Sequence, residues 1–181
     1  YARAANGILR KLDTAAASTL LATTYPHYRY PSKATGLILQ GVPLEGIACH
    51  YSAHQTTVHL IEEPPKDPIQ ASAQRLLQYF EASGIERSAI GVTGSLLIGA
   101  QREGSDIDLV ARTRIDFDRL REAVRRGLKA GLLNPLSEAD WLTTFERRRS
   151  PLTFEDYCFH EARKDNKACL LYTSDAADDT P

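Results

Sequence analysis

A mixed α/β (α+β) fold, with helices covering a small mixed sheet, is predicted by three features of the sequence. Two segments carry apolar residues at helical spacing: Ile69, Ala73, Leu76, Leu77 and Phe80 form one stripe, and Phe117, Leu120, Val124 and Leu128 form another. Between them lie two short runs of strand character, near residues 88–93 and 106–110. Glycines and prolines punctuate the ends of these runs, as expected for turns.

The elements follow in chain order. Residues 15–22 are rich in Ala, Leu and Thr and are predicted helical. Residues 25–31 hold two prolines and three tyrosines, so they are extended or looped. Tyrosines interleaved with basic residues can stack bases, but packing and turn formation is the expected role here. Residues 35–40 read as a short strand, broken at Gly41-Val42-Pro43. Ser52 is placed to cap a helix running through Ile61. His50 and His54 stand four residues apart and His59 follows; with no third ligand in view, they are read as surface histidines rather than a metal site.

Residues 62–68, Glu-Glu-Pro-Pro-Lys-Asp-Pro, have the composition of a linker. A domain boundary is placed here, dividing an N-terminal region of unassigned role (residues 1–66) from a domain over residues 67–168. Asp67 before Pro68 is a helix start, and Gly84 is its stop. The first strand of the central pair follows, and the second ends near Thr113. Residues 116–130 form an amphipathic helix ended by Gly131. Arg114, Arg119, Arg121, Arg125, Arg126 and Lys129 make its outer face basic, which is either a solvated face or one that steers polyphosphate or RNA. Ser137-Glu-Ala-Asp140 is a capping-box variant opening a helix with Trp141, Leu142 and Phe145. Thr153-Phe-Glu-Asp156 opens another, carrying Tyr157, His160 and Arg163.

The 181 residues suffice for one good core, or a small domain and an appendage. Neither an apolar run near the roughly 20 residues of a membrane span nor a secretory leader pattern is legible, so a cytoplasmic protein without membrane partners is expected. Cys49, Cys158 and Cys169 show no Cys-x-x-Cys spacing, which suits a reducing compartment without disulfide or structural metal. The formal net charge of −1 argues against bulk binding of nucleic acid by charge alone.

The chemistry is concentrated in residues 91–110. An apolar run stops at Gly94-Ser95; a short apolar stretch, Leu96-Leu97-Ile98, and a polar loop follow; then comes Asp106-Ile107-Asp108-Leu109-Val110. Alternation along a strand aims Asp106 and Asp108 the same way, with Ile107 and Leu109 opposite. Two like carboxylates aimed together repel unless a cation lies between them. Mg²⁺, or Mn²⁺, takes such oxygen ligands and is commonly shared with substrate phosphates. Ser95 at a helix start supplies a hydroxyl and free backbone N–H groups for an anion. Gly94 lets the backbone approach a triphosphate, and Arg102 and Ser105 in the loop are further candidates for phosphate contact. Gly-Ser, a loop and an alternating strand also suit an ordinary βαβ turn, and paired acids a solvated edge-strand face; the two half-motifs together favour the phosphate-and-metal reading. Phosphatases of the haloacid-dehalogenase type place Asp-x-Asp at a strand's C-terminal end before Gly-Thr, and metal-dependent glycosyltransferases lack the upstream Gly-Ser helix start.

Val92-Thr93-Gly94-Ser95 followed by Gly104-Ser105-Asp106-Ile107-Asp108-Leu109 resembles the signature of the nucleotidyltransferase superfamily typified by the DNA polymerase β catalytic domain. The likeness covers residues 86–112, and the whole chain looks more loosely like an archaeal group of predicted nucleotidyltransferases. The resemblance implies transfer of a nucleoside monophosphate from a nucleoside triphosphate to a hydroxyl acceptor (RNA, protein or small molecule), with release of pyrophosphate. It implies Mg²⁺ or Mn²⁺ on Asp106 and Asp108, and a third carboxylate on a later strand. The alternative it leaves is a non-catalytic binding module of the same fold, RNA-binding or part of a toxin–antitoxin pair.

Residues 169–179, Cys-Leu-Leu-Tyr-Thr-Ser-Asp-Ala-Ala-Asp-Asp, resemble the read-through translation of a sequencing adaptor. Residues 169–181 are accordingly expected to be a foreign tail, with the natural sequence stopping near Lys167 or Ala168. Setting the tail aside removes Asp175, Asp178 and Asp179 and moves the net charge to +2. The third carboxylate is expected beyond that point, the chain is expected to be inactive, and residues 168–173 are expected to form an imitation strand at a vacant sheet edge.

Overall fold

Side-chain caps set most helix starts, and they act where the sequence places them. In the computed structural model, which describes residues 2–3, 9–148 and 150–170, the chain begins with two short strands, β1 (Ala2–Arg3) and β2 (Leu9–Arg10), paired antiparallel. Asp13 accepts the Ala16 N–H at 2.7 Å and opens α1 (Thr14–Thr23), none of whose residues is buried. A single 3₁₀ turn (Pro26–Tyr28) leads into β3 (Arg29–Pro31), which pairs antiparallel with β4 (Ile38–Gln40). After a second 3₁₀ turn (Leu44–Gly46), Ser52 caps α2 (Ala53–Glu62) by accepting the Gln55 N–H. The Glu-Pro-rich turn joins it to α3 (Pro68–Ala82), capped by Asp67 with Pro68 at its first position.

The central pair comes next. A 3₁₀ turn (Arg87–Ala89) enters β5 (Ile90–Thr93), one helical turn follows as α4 (Gly94–Leu97), and a loop returns the chain as β6 (Asp108–Ala111). Thr113 caps α5 (Arg114–Lys129). Then follow β7 (Leu133–Asn134), α6 (Glu138–Arg148), α7 (Phe154–Ala162) and β8 (Cys169–Leu170). Helices and short antiparallel ladders make this a mixed α+β protein, and no described helix is long and apolar enough to cross a membrane.

The mixed sheet expected from the sequence is corrected to a two-stranded antiparallel ladder. β5 and β6 pair from Ile90↔Ala111 to Thr93↔Asp108, and every ladder among the described residues is two-stranded and antiparallel. The connection explains this. Residues 94–107 hold one helical turn, α4, and bring the chain back at the end of the ladder it left, so that Asp108 at the start of β6 stands beside Thr93 at the end of β5.

One core surrounds this ladder. Ala73, Leu77 and Phe80 from α3, Ile90 and Val92 from β5, Leu96 from α4, and Leu120 and Ala123 from α5 are all buried together with Ile85 and Ala89. α2 packs directly on β5 from the other side of the proline-rich linker. Gly91 permits this close approach, since a Cβ there would stand 2.7 Å from the Ala53 Cβ. Fully buried Thr57 donates its hydroxyl to the Ala53 carbonyl and accepts the Val92 N–H at 2.9 Å. Residues on both sides of the linker therefore share one core.

α6 and α7 form a second, aromatic cluster. The Phe145 ring lies 5.6 Å from Phe154 and 5.4 Å from Tyr157, and Trp141 meets Tyr157 edge-on at 6.5 Å. Ser137 and Asp140 make the reciprocal hydrogen bonds of a capping box. Of residues 168–173, expected as a strand at a sheet edge, residues 169–170 form β8, which pairs with Leu133 and Asn134 of β7 rather than with the central ladder. Residues 171–173, and the rest of the tail to 181, lie outside the described residues.

Candidate active site

The β5–β6 ladder brings the two halves of the motif together. Thr93 is the register partner of Asp108, so the Gly94-Ser95 turn leaves β5 beside the start of β6. Gly94 has φ +65°, in the left-handed region that favours glycine. A Cβ at this position would overlap Asp108 Oδ2 and lie 3.2 Å from both Cβ and Cγ of Asp108. The backbone of the turn and the carboxylate are thus in direct contact, and the space between them admits no side chain.

Asp106 differs from its expected placement in one respect: it precedes the strand, which begins at Asp108. The alternation of exposure nevertheless runs through it. Asp106, Asp108 and Val110 are exposed, while Ile107, Leu109 and Ala111 pack against the core. The strand starts late because β5 ends at Thr93, leaving residues before Asp108 without a ladder partner. Arg147 of α6 reaches Asp106, with Nη1 3.7 Å from Oδ2; both side chains are well exposed, so the pair is screened and weak.

Ser95 lies in the first turn of α4, partly exposed; the cap position is Thr93, whose side chain makes no capping bond. Its carbonyl accepts the Ala100 N–H at 2.9 Å, closing the turn. Arg102 and Ser105 brace their own loop. The Ser105 hydroxyl accepts the Arg102 N–H at 2.9 Å, the Ser105 N–H returns to the Arg102 carbonyl, and the Arg102 guanidinium donates to the Leu9 carbonyl at 3.3 Å. Gln101 ties the same loop to α3 by donating to Asp67 Oδ2 at 2.8 Å. Burial pushes the Asp67 carboxyl up, but hydrogen bonds from Gln101 and from the Gln70 and Ile69 N–H groups hold it below its ordinary range.

Three of these contacts had little signal in the sequence. Asp67 was legible as a helix cap but not as an anchor for Gln101. Arg147 sits in a run of three arginines at a helix end, and nothing local singles it out for Asp106. Thr57, which supports β5 from α2, looks like any helical threonine. The histidines read as surface residues, His50, His54 and His59, are exposed. Among the described residues, no group of three or more His, Cys, Asp or Glu side chains gathers as a metal site.

The comparisons with known proteins add one relative. Over 104 residues the chain is 30% identical to the uncharacterized protein MJ1086 of Methanocaldococcus jannaschii. The likeness covers 56% of this chain and 31% of that protein, so the chain matches about a third of its relative's length. No family model matches the chain, and no solved structure matches it.

Proposed function

We propose that the protein is a metal-dependent nucleotidyltransferase, moving a nucleoside monophosphate from a nucleoside triphosphate to a hydroxyl acceptor with release of pyrophosphate. The observation that carries this reading is the contact between the left-handed Gly94 turn and the Asp108 carboxylate, set by the Thr93↔Asp108 register. It sets a backbone able to approach phosphates beside an acid able to hold a cation. Asp106 and Asp108 fit Mg²⁺ or Mn²⁺ by their chemistry: both are hard oxygen donors, both are exposed, and Mg²⁺ needs only one or two carboxylates beside waters and substrate phosphates. Bound there, the ion would neutralise phosphate charge and lower the pKa of the attacking hydroxyl. In this reading Gly94 admits the triphosphate to the turn, the Ser95 hydroxyl donates to its terminal phosphates, and Arg102 and Ser105 hold the flanking loop. The acceptor is an RNA, a protein or a small molecule, and a triphosphate substrate suits a cytoplasmic setting.

A second reading has one observation in its favour. Arg147 places a guanidinium near Asp106, where a second metal ion would otherwise offset the charge. That suits a nucleotidyltransferase-like binding module without turnover, RNA-binding or part of a toxin–antitoxin pair.

Calorimetry on the full chain tests the metal assignment. Nucleoside triphosphate should bind at least tenfold more tightly in Mg²⁺ than in chelator, a difference of about 1.4 kcal/mol. Asp106→Asn with Asp108→Asn should erase that difference while the circular dichroism spectrum stays unchanged. Equal affinity of the unaltered protein with and without Mg²⁺ would overturn the reading.

A further inference from the structure

The other concentration of chemistry lies between α5 and α7. Phe117, Arg121, His160, Arg163, Lys164 and Asn166 line an open cleft of about 350 Å³. Its walls are locked to each other. Arg121 donates to the Arg163 carbonyl at 3.2 Å, and Arg125 grips Asp165 Oδ2 through Nε at 2.9 Å and Nη2 at 2.7 Å. Asp165 holds a left-handed backbone, φ 47°, in this grip. A cleft braced in this way needs little rearrangement to receive a ligand.

Arg121, Arg163 and Lys164 are the cleft's lining cations and no described lining residue is acidic, although Arg121 lies 3.5 Å from Asp165 and 3.7 Å from Asp118. Just behind the cleft, Glu161 is buried and faces three cations: Lys164, Lys167, and Arg148 at 3.5 Å. Burial pushes the Glu161 carboxyl up, but Lys164 and Lys167 more than reverse this and hold it at about 2. Asp118, Glu122 and Asp165 balance Arg114, Arg121 and Arg125 on the α5 side, while one carboxylate against three cations at Glu161 leaves a positive surplus at neutral pH. Arg163 adds to it, since it forms no ion pair with a described residue. Cations at the C-terminal end of α7 also complement the helix dipole, which accounts for their sign. The dipole does not account for the aromatic groups. Phe159, 60% exposed, carries the Arg163 guanidinium over its ring at 5.2 Å and lies 5.5 Å from the His160 ring.

A cationic cleft flanked by an exposed ring has the two parts that hold a single strand: charge along the phosphodiester, and a ring on which a base stacks. We propose that the α5–α7 cleft binds single-stranded nucleic acid, with Arg163 and Lys164 on the backbone phosphates and a base stacked on Phe159. The volume is near the lower end of the range for ligand pockets, about 300–1,000 Å³. That suits one nucleotide unit within the cleft, while its open sides let the strand continue past it. The inference does not depend on nucleotidyl transfer at Asp106 and Asp108.

Fluorescence anisotropy of labelled oligo(rU) and oligo(dT) twelve-mers with the full chain tests it. Binding should weaken with salt, with a slope of log K against log salt of about −1.4, as for two phosphates of a single strand. Arg163→Ala should lower affinity about fivefold and reduce the slope by about 0.7. Phe159→Ala should lower affinity about fivefold or more with the slope unchanged. Both positions are exposed, and unchanged circular dichroism confirms that each variant is folded. Absence of binding at 50 mM salt, or undiminished affinity in both variants, would overturn the proposal. So would complete displacement of the oligomer by ATP at equal phosphate concentration, which would mark a free-nucleotide site, or equally tight binding of a blunt duplex.

Discussion

Two antiparallel strand pairs in this protein are built alike and end up in opposite environments. β5 pairs with β6 and β3 pairs with β4, each over three or four residues. In β5 the first three residues are buried, and α2, α3 and α5 close over them. In β3 and β4 every residue is exposed, including Tyr30, Ile38 and Leu39, and Leu37 beside them is 62% exposed. Backbone pairing is therefore the shared part and burial the difference. A two-stranded ladder is marginal in water by itself, and packing against helices is what stabilises it. The lesson is that the strand pattern decides which backbones pair, while the covering helices decide which pair becomes a core.

The largest contrast should come from the glycines of the two regions. Gly94 and Gly36 have nearly the same backbone, φ +65° and +68°, but a Cβ at Gly94 meets Asp108 whereas one at Gly36 meets nothing within 4 Å. Gly36→Ala should cost about 1 kcal/mol, for the left-handed conformation alone. Gly94→Ala should cost about 3 kcal/mol, because overpacking adds to that term. Urea denaturation of both variants measures the difference, and equal losses would mean that the Gly94–Asp108 contact is absent in solution.

A smaller effect tests the cover itself. Thr57→Val keeps the shape of α2 but leaves the buried Val92 N–H without its acceptor. The loss should be about 2 kcal/mol, the usual cost of stranding a buried donor. Hydrogen exchange at Val92 should accelerate in the variant, and unchanged protection there would show that β5 does not depend on α2. Least of all is expected from Leu39→Ser. This residue is 42% exposed in an uncovered strand, so the change in stability should stay within about 0.5 kcal/mol. A loss above 1.5 kcal/mol in the same denaturation assay would show that β3–β4 is buried against something in solution.

Local signals were read correctly wherever the cause is local. Ser52, Asp67 and Thr153 cap their helices through bonds spanning three residues, so their roles are visible in a short stretch of chain. The alternation of residues 106–111 likewise survives intact as alternating exposure. The expected mixed sheet is instead antiparallel because residue spacing says where strands lie but not which way neighbours run; the register that sets Asp108 beside Thr93 decides that. Within the candidate site, the Gly94–Asp108 neighbourhood was legible from two half-motifs at a fixed spacing. Arg147 and Gln101 were not, because a lone arginine or glutamine has no periodicity that points to a distant partner.

The sequence by itself determined the α+β class, the starts of the principal helices, and the face of the chain on which Asp106 and Asp108 lie. These depend on propensity, capping and alternation, all acting over a few residues. Only the tertiary structure decided that α2 covers β5 through Gly91 and Thr57, that Asp67 anchors the Gln101 loop, and that the α5–α7 cleft gathers its cations. Those arrangements join residues about 35–45 positions apart, and they form because burying an apolar face selects one packing among many that the local pattern allows.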